Sequence, residues 1–389
     1  MELGLLSNML VNPEPYWQAY VPPLFSAIGG NQNNVRIVEP PAVSWAQRDA
    51  WKSVRSQVKA CDTLFWLQLS ARPATAIHLA SLNRLGARRA NFVIDAWKPV
   101  VTKIGIAATI ERLDPCFIAY LEATTELKRR FPLGKFVWLP HAGNADIFYP
   151  RKEGKPNFVF YMGRRHEPLH QALLKYCDTR GLKYLYSDRF MFGEEVGRAA
   201  SSAQYFVASP REMIDPKTKT AYSPLSPRYF EGLAAGTRIL GTIPESDEYN
   251  ALLPTDALCE VSLDGSDLAE SLDRDRQNPD NQRAVDAAAA LVREHHSWQR
   301  RGQQIYNYLE QGGPLDLHLM PEARNRGYCG RLDLLRGPGR LCCASRNGLS
   351  LAAEVTLLDL APFLACGDPD QGLGERFSSG LPGGGAIAI

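Results

Sequence analysis

Residues 226–242, which read SPRYFEGLAAGTRILGT, contain the pattern of a helix followed by a buried strand. Pro227 suits the first helical turn, where its missing N–H is not needed. Gly236 is placed to end the helix, because glycine readily takes the left-handed conformation found just past a helix C-terminus. The small residues before Gly236 allow the helix to approach a sheet closely. The stretch therefore predicts one helix-to-strand step of a parallel α/β sheet.

Short apolar runs alternate with segments of helical length on both sides of this stretch, up to about residue 311. Strands are predicted at residues 3–9, 35–38, 63–67, 91–94, 117–120 and 135–139, and again at 157–161, 183–186, 205–208, 238–240 and 258–261. Helices are predicted at residues 44–59, 73–85, 167–179, 227–235, 279–294 and 298–311. This alternation indicates parallel sheets covered by helices on both faces, which bind ligands at the carboxyl ends of their strands.

The alternation is interrupted once, at residues 140–154, whose sequence PHAGNADIFYPRKEG is typical of an interdomain linker. We therefore predict an α/β protein with two doubly wound, Rossmann-like domains facing across a cleft. The predicted domains are residues 1–145 and residues 146–311, with the last helix crossing back to the first domain. Residues 312–389 are rich in glycine and proline and are predicted to be a weakly ordered tail outside the catalytic fold.

The bulk composition is that of a globular protein. The chain has 389 residues, 45% of them hydrophobic and 22% charged, and a formal net charge of +2, which is too weak to indicate a nucleic-acid partner. No apolar run approaches the roughly 18 residues of a membrane span. The 8 cysteines form no CxxC pair, and the N-terminus lacks the pattern of a secretory signal, so a reducing cytoplasm is expected.

Two stretches carry groups that suit a nucleoside diphosphate. Arg228 and Glu231 lie three residues apart near a predicted helix N-terminus, where an arginine favours phosphate and a carboxylate can accept hydrogen bonds from two ribose hydroxyls. Gly163, Arg164 and Arg165 directly follow a predicted strand, where glycine admits a phosphate and arginine neutralises it. The alternatives are an ordinary surface ion pair in the first case and a solvated turn in the second.

These stretches resemble the GT-B glycosyltransferases, particularly the glycogen-synthase-like and bacterial spore-maturation-type groups. In that family an Arg-x-x-Glu-(Ala/Gly)-x-Ala-x-Gly helix holds the nucleotide ribose through its glutamate, and RYFEGLAAG matches it with Arg228 and Glu231. The resemblance extends to FVWLPHAGNADIFYP in the linker, FVFYMGRR at the start of the second domain and HHSWQRRGQQIYNYL in the last helix. Together these stretches span roughly residues 1–311.

The resemblance implies an enzyme that moves a sugar from a nucleotide diphosphate sugar to a hydroxyl of a glycan, a lipid-linked glycan or a small metabolite. The first domain would bind the acceptor and the second the donor, without a cofactor or a metal ion. Peripheral association with the inner face of a membrane is compatible with a lipid-linked acceptor. The implied donor-binding residues are Gly163, Arg164, Arg165, Arg228, Tyr229 and Glu231.

Two departures from the family pattern affect the donor site. Many retaining members have a second glutamate eight positions before the ribose glutamate, where this chain has Ser223, which leaves the sugar and the stereochemical outcome open. The family lysine after the GR arginine is also absent, and Arg165, Lys217 or Lys219 could supply that charge.

Asp95 is the candidate catalytic residue on the acceptor side. It follows the predicted strand ending in NFVI, where a carboxylate could take the proton of the acceptor hydroxyl, although capping the next segment is an equal alternative. Further cleft-lining candidates are Ser7, Asn8, His141 and Lys219, with a hydrogen-bonded linker histidine as the alternative for His141. The acidic strings at residues 273–275 and 368–370 are interpreted as chance rather than as metal ligands.

Three other functions remain open from the sequence. One is a two-lobed small-molecule binding protein, which would bind its ligand without dependence on a nucleotide. A nucleotide-sugar epimerase or hydrolase would use the same scaffold with additional carboxylates. A catalytically degenerate partner subunit would retain the fold, and the serine at position 223 is compatible with that reading.

Overall fold

The computed structural model describes residues 1–7, 21–29, 34–38, 50–68, 86–187, 189, 191–210, 222–321 and 323. Its contacts divide the chain into two units, Met1–Gly337 and Pro338–Ile389, and all described residues belong to the first. Asn8, Lys217, Lys219, the predicted helix at 73–85 and the four cysteines of the predicted tail lie outside the described residues.

The first half of the described chain forms a parallel sheet of six strands. The strands are β1 (Leu3–Ser7), β2 (Val35–Val38), β3 (Thr63–Gln68), β4 (Arg88–Val93), β5 (Cys116–Ile118) and β6 (Phe136–Trp138). They are ordered β2-β1-β3-β4-β5-β6, and the direction of winding reverses between β1 and β3. The described helices of this half are α1 (Val21–Gly29), α2 (Ala50–Val58), α3 (Val101–Glu111) and α4 (Leu121–Arg130).

The second half forms a parallel sheet of five strands. The strands are β7 (Asn157–Tyr161), β8 (Tyr184–Tyr186), β9 (Ala203–Ala208), β10 (Arg238–Gly241) and β11 (Leu258–Glu260). They are ordered β11-β10-β9-β7-β8, so the winding reverses between β7 and β9. The described helices are α5 (Glu167–Thr179), α6 (Gly193–Ser201), α7 (Pro227–Ala234), α8 (Glu248–Leu252), α9 (Leu268–Arg276), α10 (Asn281–His295) and α11 (Trp298–Gln311).

The central strands of each sheet are buried on both faces, as in other parallel sheets. In β3, Phe65 and Leu67 belong to one apolar cluster, whereas Leu64 and Trp66 belong to another. The strands of the second sheet divide in the same way between two clusters. The structure therefore confirms the predicted class of two doubly wound, Rossmann-like parallel sheets.

The last helix, α11, packs on α1 of the first half. Gly302 makes this contact close, because a Cβ at that position would lie 2.5 Å from the Cβ of Ala27. Beyond this helix, Leu317, Leu319 and Ala323 are buried in the main apolar cluster. The packed part of the chain thus continues past residue 312, where the tail was predicted to begin.

Candidate functional site

In the second sheet, the winding reverses between β7 and β9, and candidate residues lie at the carboxyl ends of these strands. In doubly wound sheets, ligands bind at these points. In the second sheet, the loop after β7 contains Gly163, Arg164 and Arg165, and β9 is followed directly by Ser209. Helix α7, which precedes β10, brings its own N-terminus to the same edge. The loop after β7 and the start of α7 can therefore act on one ligand.

Arg228 and Gly163 are in direct contact. Gly163 has a φ of +78°, and a Cβ at this position would lie 2.5 Å from Nη2 of Arg228. The turn after β7 is therefore shaped to hold the Arg228 guanidinium, and a larger residue would displace it. The structure brings together two of the residues that the sequence assigns to the donor site.

Three buried polar atoms, two at the start of α7 and one directly after β9, have no hydrogen-bond partner among the described residues. They are Nη1 of Arg228, Oγ of Ser226 and Oγ of Ser209. Ser226 is the N-cap residue of α7, yet its side chain caps no N–H of the helix. Buried polar groups are normally paired, so the unpaired donors of Ser226 and Arg228 at the N-terminus of α7 are suited to the oxygens of a phosphate.

Sequence reasoning did not single out Ser209 or Ser226 as binding residues. The N-cap position of Ser226, immediately before Pro227, was a local signal that could have identified it. Ser209 has no comparable signal, because its place at the carboxyl end of β9, between β7 and β10, follows only from the sheet order.

Arg165 and Arg228 act on the same buried phenol. Burial raises the pKa of Tyr161, and the guanidinium groups of Arg228 and Arg165 oppose that rise. The Tyr161 hydroxyl accepts a hydrogen bond from the His166 N–H at 2.9 Å. Arg165 lies over the ring of Tyr186, 5.1 Å from its centroid. Two cations thus lie near the carboxyl end of β7, while Arg164 is exposed to solvent.

Glu231 is buried one turn into α7. Its exposure is only 5%, and burial raises its pKa to about 7 although Arg228 acts in the opposite direction. The part of the chain that the structure describes offers its carboxylate no hydrogen-bond donor within reach. A buried carboxylate in this state can accept hydrogen bonds from the hydroxyls of a ligand.

The Tyr229 side chain lies in the protein core. It is fully buried, its hydroxyl donates to the carbonyl oxygen of Thr242 at 2.5 Å, and its ring packs edge-on against Tyr249. In this placement Tyr229 anchors α7 to the core, and its direct contact with a donor stays a prediction.

On the first sheet, Asp95 follows β4 and is half-buried. The Tyr120 hydroxyl donates to its carboxylate at 3.2 Å. The Tyr120 ring lies between Trp97, at 4.9 Å, and His141, at 5.6 Å. The Tyr120 hydroxyl therefore orients the Asp95 carboxylate at the carboxyl end of the first sheet.

His141 is buried where the two halves meet. It lies edge-on to Trp298 at 6.3 Å, and its Nδ1 has no hydrogen-bond partner among the described residues. Burial lowers its pKa to about 3, with a further contribution from Arg301, so the ring is neutral at ordinary pH. Ser7, at the carboxyl end of β1, is also fully buried.

The acidic string at residues 273–275 has a structural role. Asp275 forms a buried ion pair with Arg238 at 2.6 Å, and Asp273 accepts a hydrogen bond from Tyr176. Across the described ranges, no three His, Cys, Asp or Glu side chains are grouped as a metal site. Among the described helices, none is both long and apolar enough to cross a membrane.

Comparison with known proteins gives a family match in the second half. Residues 168–307 match the family model described as "Glycosyl transferase-like". A search of curated proteins finds no similar sequence.

Solved structures share the fold at low sequence identity. Sucrose-phosphate synthase from Thermosynechococcus elongatus aligns with a TM-score of 0.55 and 13% identity, covering 80% of this chain and 99% of that chain. Anabaena HepE in complex with UDP and glucose aligns with a TM-score of 0.53 and 10% identity, covering 80% of this chain and 100% of that chain. The chain therefore shares the two-domain GT-B fold of these structures, and its residues 168–307 match the glycosyl transferase-like family model.

Proposed function

We propose that this protein transfers a sugar from a nucleotide diphosphate sugar to an acceptor hydroxyl. The observation that carries the proposal is the pair of unpaired donors at the start of α7, Oγ of Ser226 and Nη1 of Arg228, with Arg228 in contact with the turn at Gly163. These donors suit a diphosphate, and Glu231 lies one turn further along for the ribose. HepE, which shares the fold, was solved with UDP and glucose, and this supports UDP as the first nucleotide to test.

The chemistry follows from the charges at the site. Negative charge grows on the leaving diphosphate as the bond to the sugar breaks, and positioned cations stabilise that charge. Arg228, Arg165 and the N-terminus of α7 supply positive charge, so we expect transfer without an added metal ion. Asp95 takes the proton of the acceptor hydroxyl. The acceptor itself is a glycan, a lipid-linked glycan or a small metabolite.

The contact between Gly163 and Arg228 provides a direct test. An alanine at position 163 would force Arg228 out of place, so Gly163→Ala should weaken nucleoside diphosphate binding about tenfold, equal to about 1.4 kcal/mol. Gly154→Ala is the matched control, because Gly154 has a φ of +80° but nothing within 4 Å of a Cβ. Calorimetric titration with UDP, GDP and ADP, with and without EDTA, measures both variants.

Two results would contradict the proposal. If none of the three diphosphates binds the wild-type protein, the second half is not a donor domain in this chain. If Gly163→Ala and Gly154→Ala bind equally well, the turn after β7 does not contribute to the diphosphate site.

A further inference from the structure

Three glutamates connect helix α4 of the first half to residues 222–225, the segment that leads into α7. We call Glu122, Glu126 and Glu248 the glutamate clasp. Glu122 and Glu126 are one turn apart on the same face of α4. Glu248 begins α8 in the second half and is only 1% exposed. Each of the three carboxylates accepts a hydrogen bond from this segment.

Glu248 joins two backbone segments through its two oxygens. Oε1 accepts the N–H of Leu121, and Oε2 accepts the N–H of Leu225 at 2.6 Å. Leu121 is the first residue of α4, so its N–H has no partner within the helix. Burial raises the pKa of Glu248 to about 8, and the N–H groups of Leu121 and Leu225 act in the opposite direction. Glu248 therefore holds the start of α4 and the approach to α7 at a fixed separation.

The other two glutamates reinforce this connection from α4. Oε2 of Glu122 accepts the N–H of Ser223 at 2.9 Å, and Glu126 accepts the hydroxyl of Tyr222. The Ser223 hydroxyl in turn accepts the N–H of Glu245 at 3.0 Å. The serine that departs from the family pattern is thus held by Glu122 of the first half.

The clasped residues lie next to both parts of the candidate site. Leu121 directly follows Tyr120, whose hydroxyl donates to Asp95. Leu225 directly precedes Ser226, the N-cap of the helix that carries Arg228. We propose that Glu248 is a positioning residue that couples the donor site on α7 to Asp95 through α4. This proposal deepens the proposed function and rests on it.

Replacing the carboxylate with an amide tests the geometry directly. Glutamine can accept a hydrogen bond only at its oxygen, so in Glu248→Gln the NH₂ group faces one of the two backbone N–H groups. One N–H is then left buried without an acceptor, an arrangement that proteins rarely tolerate. Glu245→Gln is the matched control, because Glu245 lies three residues before Glu248 and is exposed.

Hydrogen exchange followed by mass spectrometry measures the coupling with the full chain. Without ligand, Glu248→Gln should exchange at least tenfold faster than Glu245→Gln in peptides covering 119–125 and 222–230. When UDP is added to the wild-type protein, protection should rise in residues 226–236 and also in residues 119–125. In Glu248→Gln the first effect should remain and the second should be lost, with the Kd for UDP within about threefold of wild type.

The outcomes separate the two proposals. The coupling role is wrong if Glu248→Gln has the same hydrogen-exchange rates as Glu245→Gln. It is also wrong if UDP still slows exchange in residues 119–125 of Glu248→Gln. If UDP protects no part of residues 226–236 in the wild-type protein, the proposed function fails for UDP, and the ligand-free exchange alone decides the clasp. Glu122→Gln, at a half-exposed position, should show a smaller loss in the same direction, and no change there would also count against the clasp.

Discussion

Burial and a neighbouring positive charge act on Glu231 in opposite directions. Burial raises its pKa from 4.5 to about 7, and Arg228 limits the rise. Because the folded protein binds this proton more tightly than the unfolded chain does, the stabilising contribution is fully present below pH 4.5. It is lost as the pH rises towards about 7. A ligand that donates hydrogen bonds to the carboxylate would offset this loss.

The affinity for a donor should therefore depend on pH. The ribose hydroxyls donate hydrogen bonds to the ionised form of Glu231. With a pKa of about 7, about one tenth of Glu231 is ionised at pH 6 and about nine tenths at pH 8. UDP-glucose should therefore bind about tenfold more tightly at pH 8 than at pH 6. UDP-glucose is the suitable probe because its diphosphate does not titrate in this range. Calorimetry across the range should show weak, flat binding for Glu231→Gln. The exposed variant Glu270→Gln should keep the wild-type slope, and a flat wild-type profile would remove the ribose role.

At the scale of single elements, α11 holds the linker through one buried arginine. Arg301 is fully buried and donates to the carbonyl oxygens of Pro140 and His295 and to the side chain of Gln304. The linker is also fixed to the start of α11 by a backbone bridge between Gly143 and Ser297. The guanidinium satisfies several acceptors at once, which a single ammonium group cannot do with the same geometry.

Arg301→Lys should consequently destabilise the protein although the charge is kept. We expect a loss of about 3 kcal/mol in the free energy of unfolding, because buried carbonyl groups lose their donors. Arg300→Lys is the control on the same helix, since Arg300 is half-exposed and pairs with Asp316. Denaturant unfolding compares the two variants. Equal denaturant midpoints would show that the planar guanidinium of Arg301 is not needed for stability.

The elements differ in how well the sequence alone predicts them. The strand at Asn157–Tyr161 and the helices at Glu167–Thr179 and Trp298–Gln311 have the predicted bounds, because apolar periodicity and local end signals determine them. Strand β4 instead begins at Arg88, three residues before the predicted start at residue 91. Arg88 is held there by the carbonyl oxygens of Asp114 and Leu309, contacts that no local pattern reveals.

The candidate site shows the same division. Arg228 and Glu231 could be grouped from the sequence because they are three residues apart on one helix. Glu248 could not be connected with Leu121, from which it is separated by 127 positions. Such a contact exists only once the order of the strands and the packing of the two halves are known.

At the scale of the whole molecule, the two halves share one apolar core. The main cluster runs from Phe65 on the first sheet through Phe148 in the linker to Phe206 and Leu233 in the second half. A core that is continuous across the linker explains why hydrogen bonds such as those of the glutamate clasp can be held in place. It also implies that residues adding to this cluster stabilise both halves together.

The segment after α11 belongs to this core, and two truncations can measure its contribution. Leu317 and Leu319 are buried, and the N–H of Met320 donates to the carbonyl oxygen of Ala251 at 2.9 Å. A chain ending at residue 311 should lose about 4 kcal/mol of stability, since each buried leucine contributes about 2 kcal/mol. A chain ending at residue 337, the limit of the first unit, should keep the wild-type melting temperature and UDP affinity. Differential scanning calorimetry of both truncations and the full chain provides the comparison. Equal melting temperatures for the two truncations would place the end of the folded unit at residue 311, whereas a loss in the longer one would show that residues 338–389 stabilise the fold.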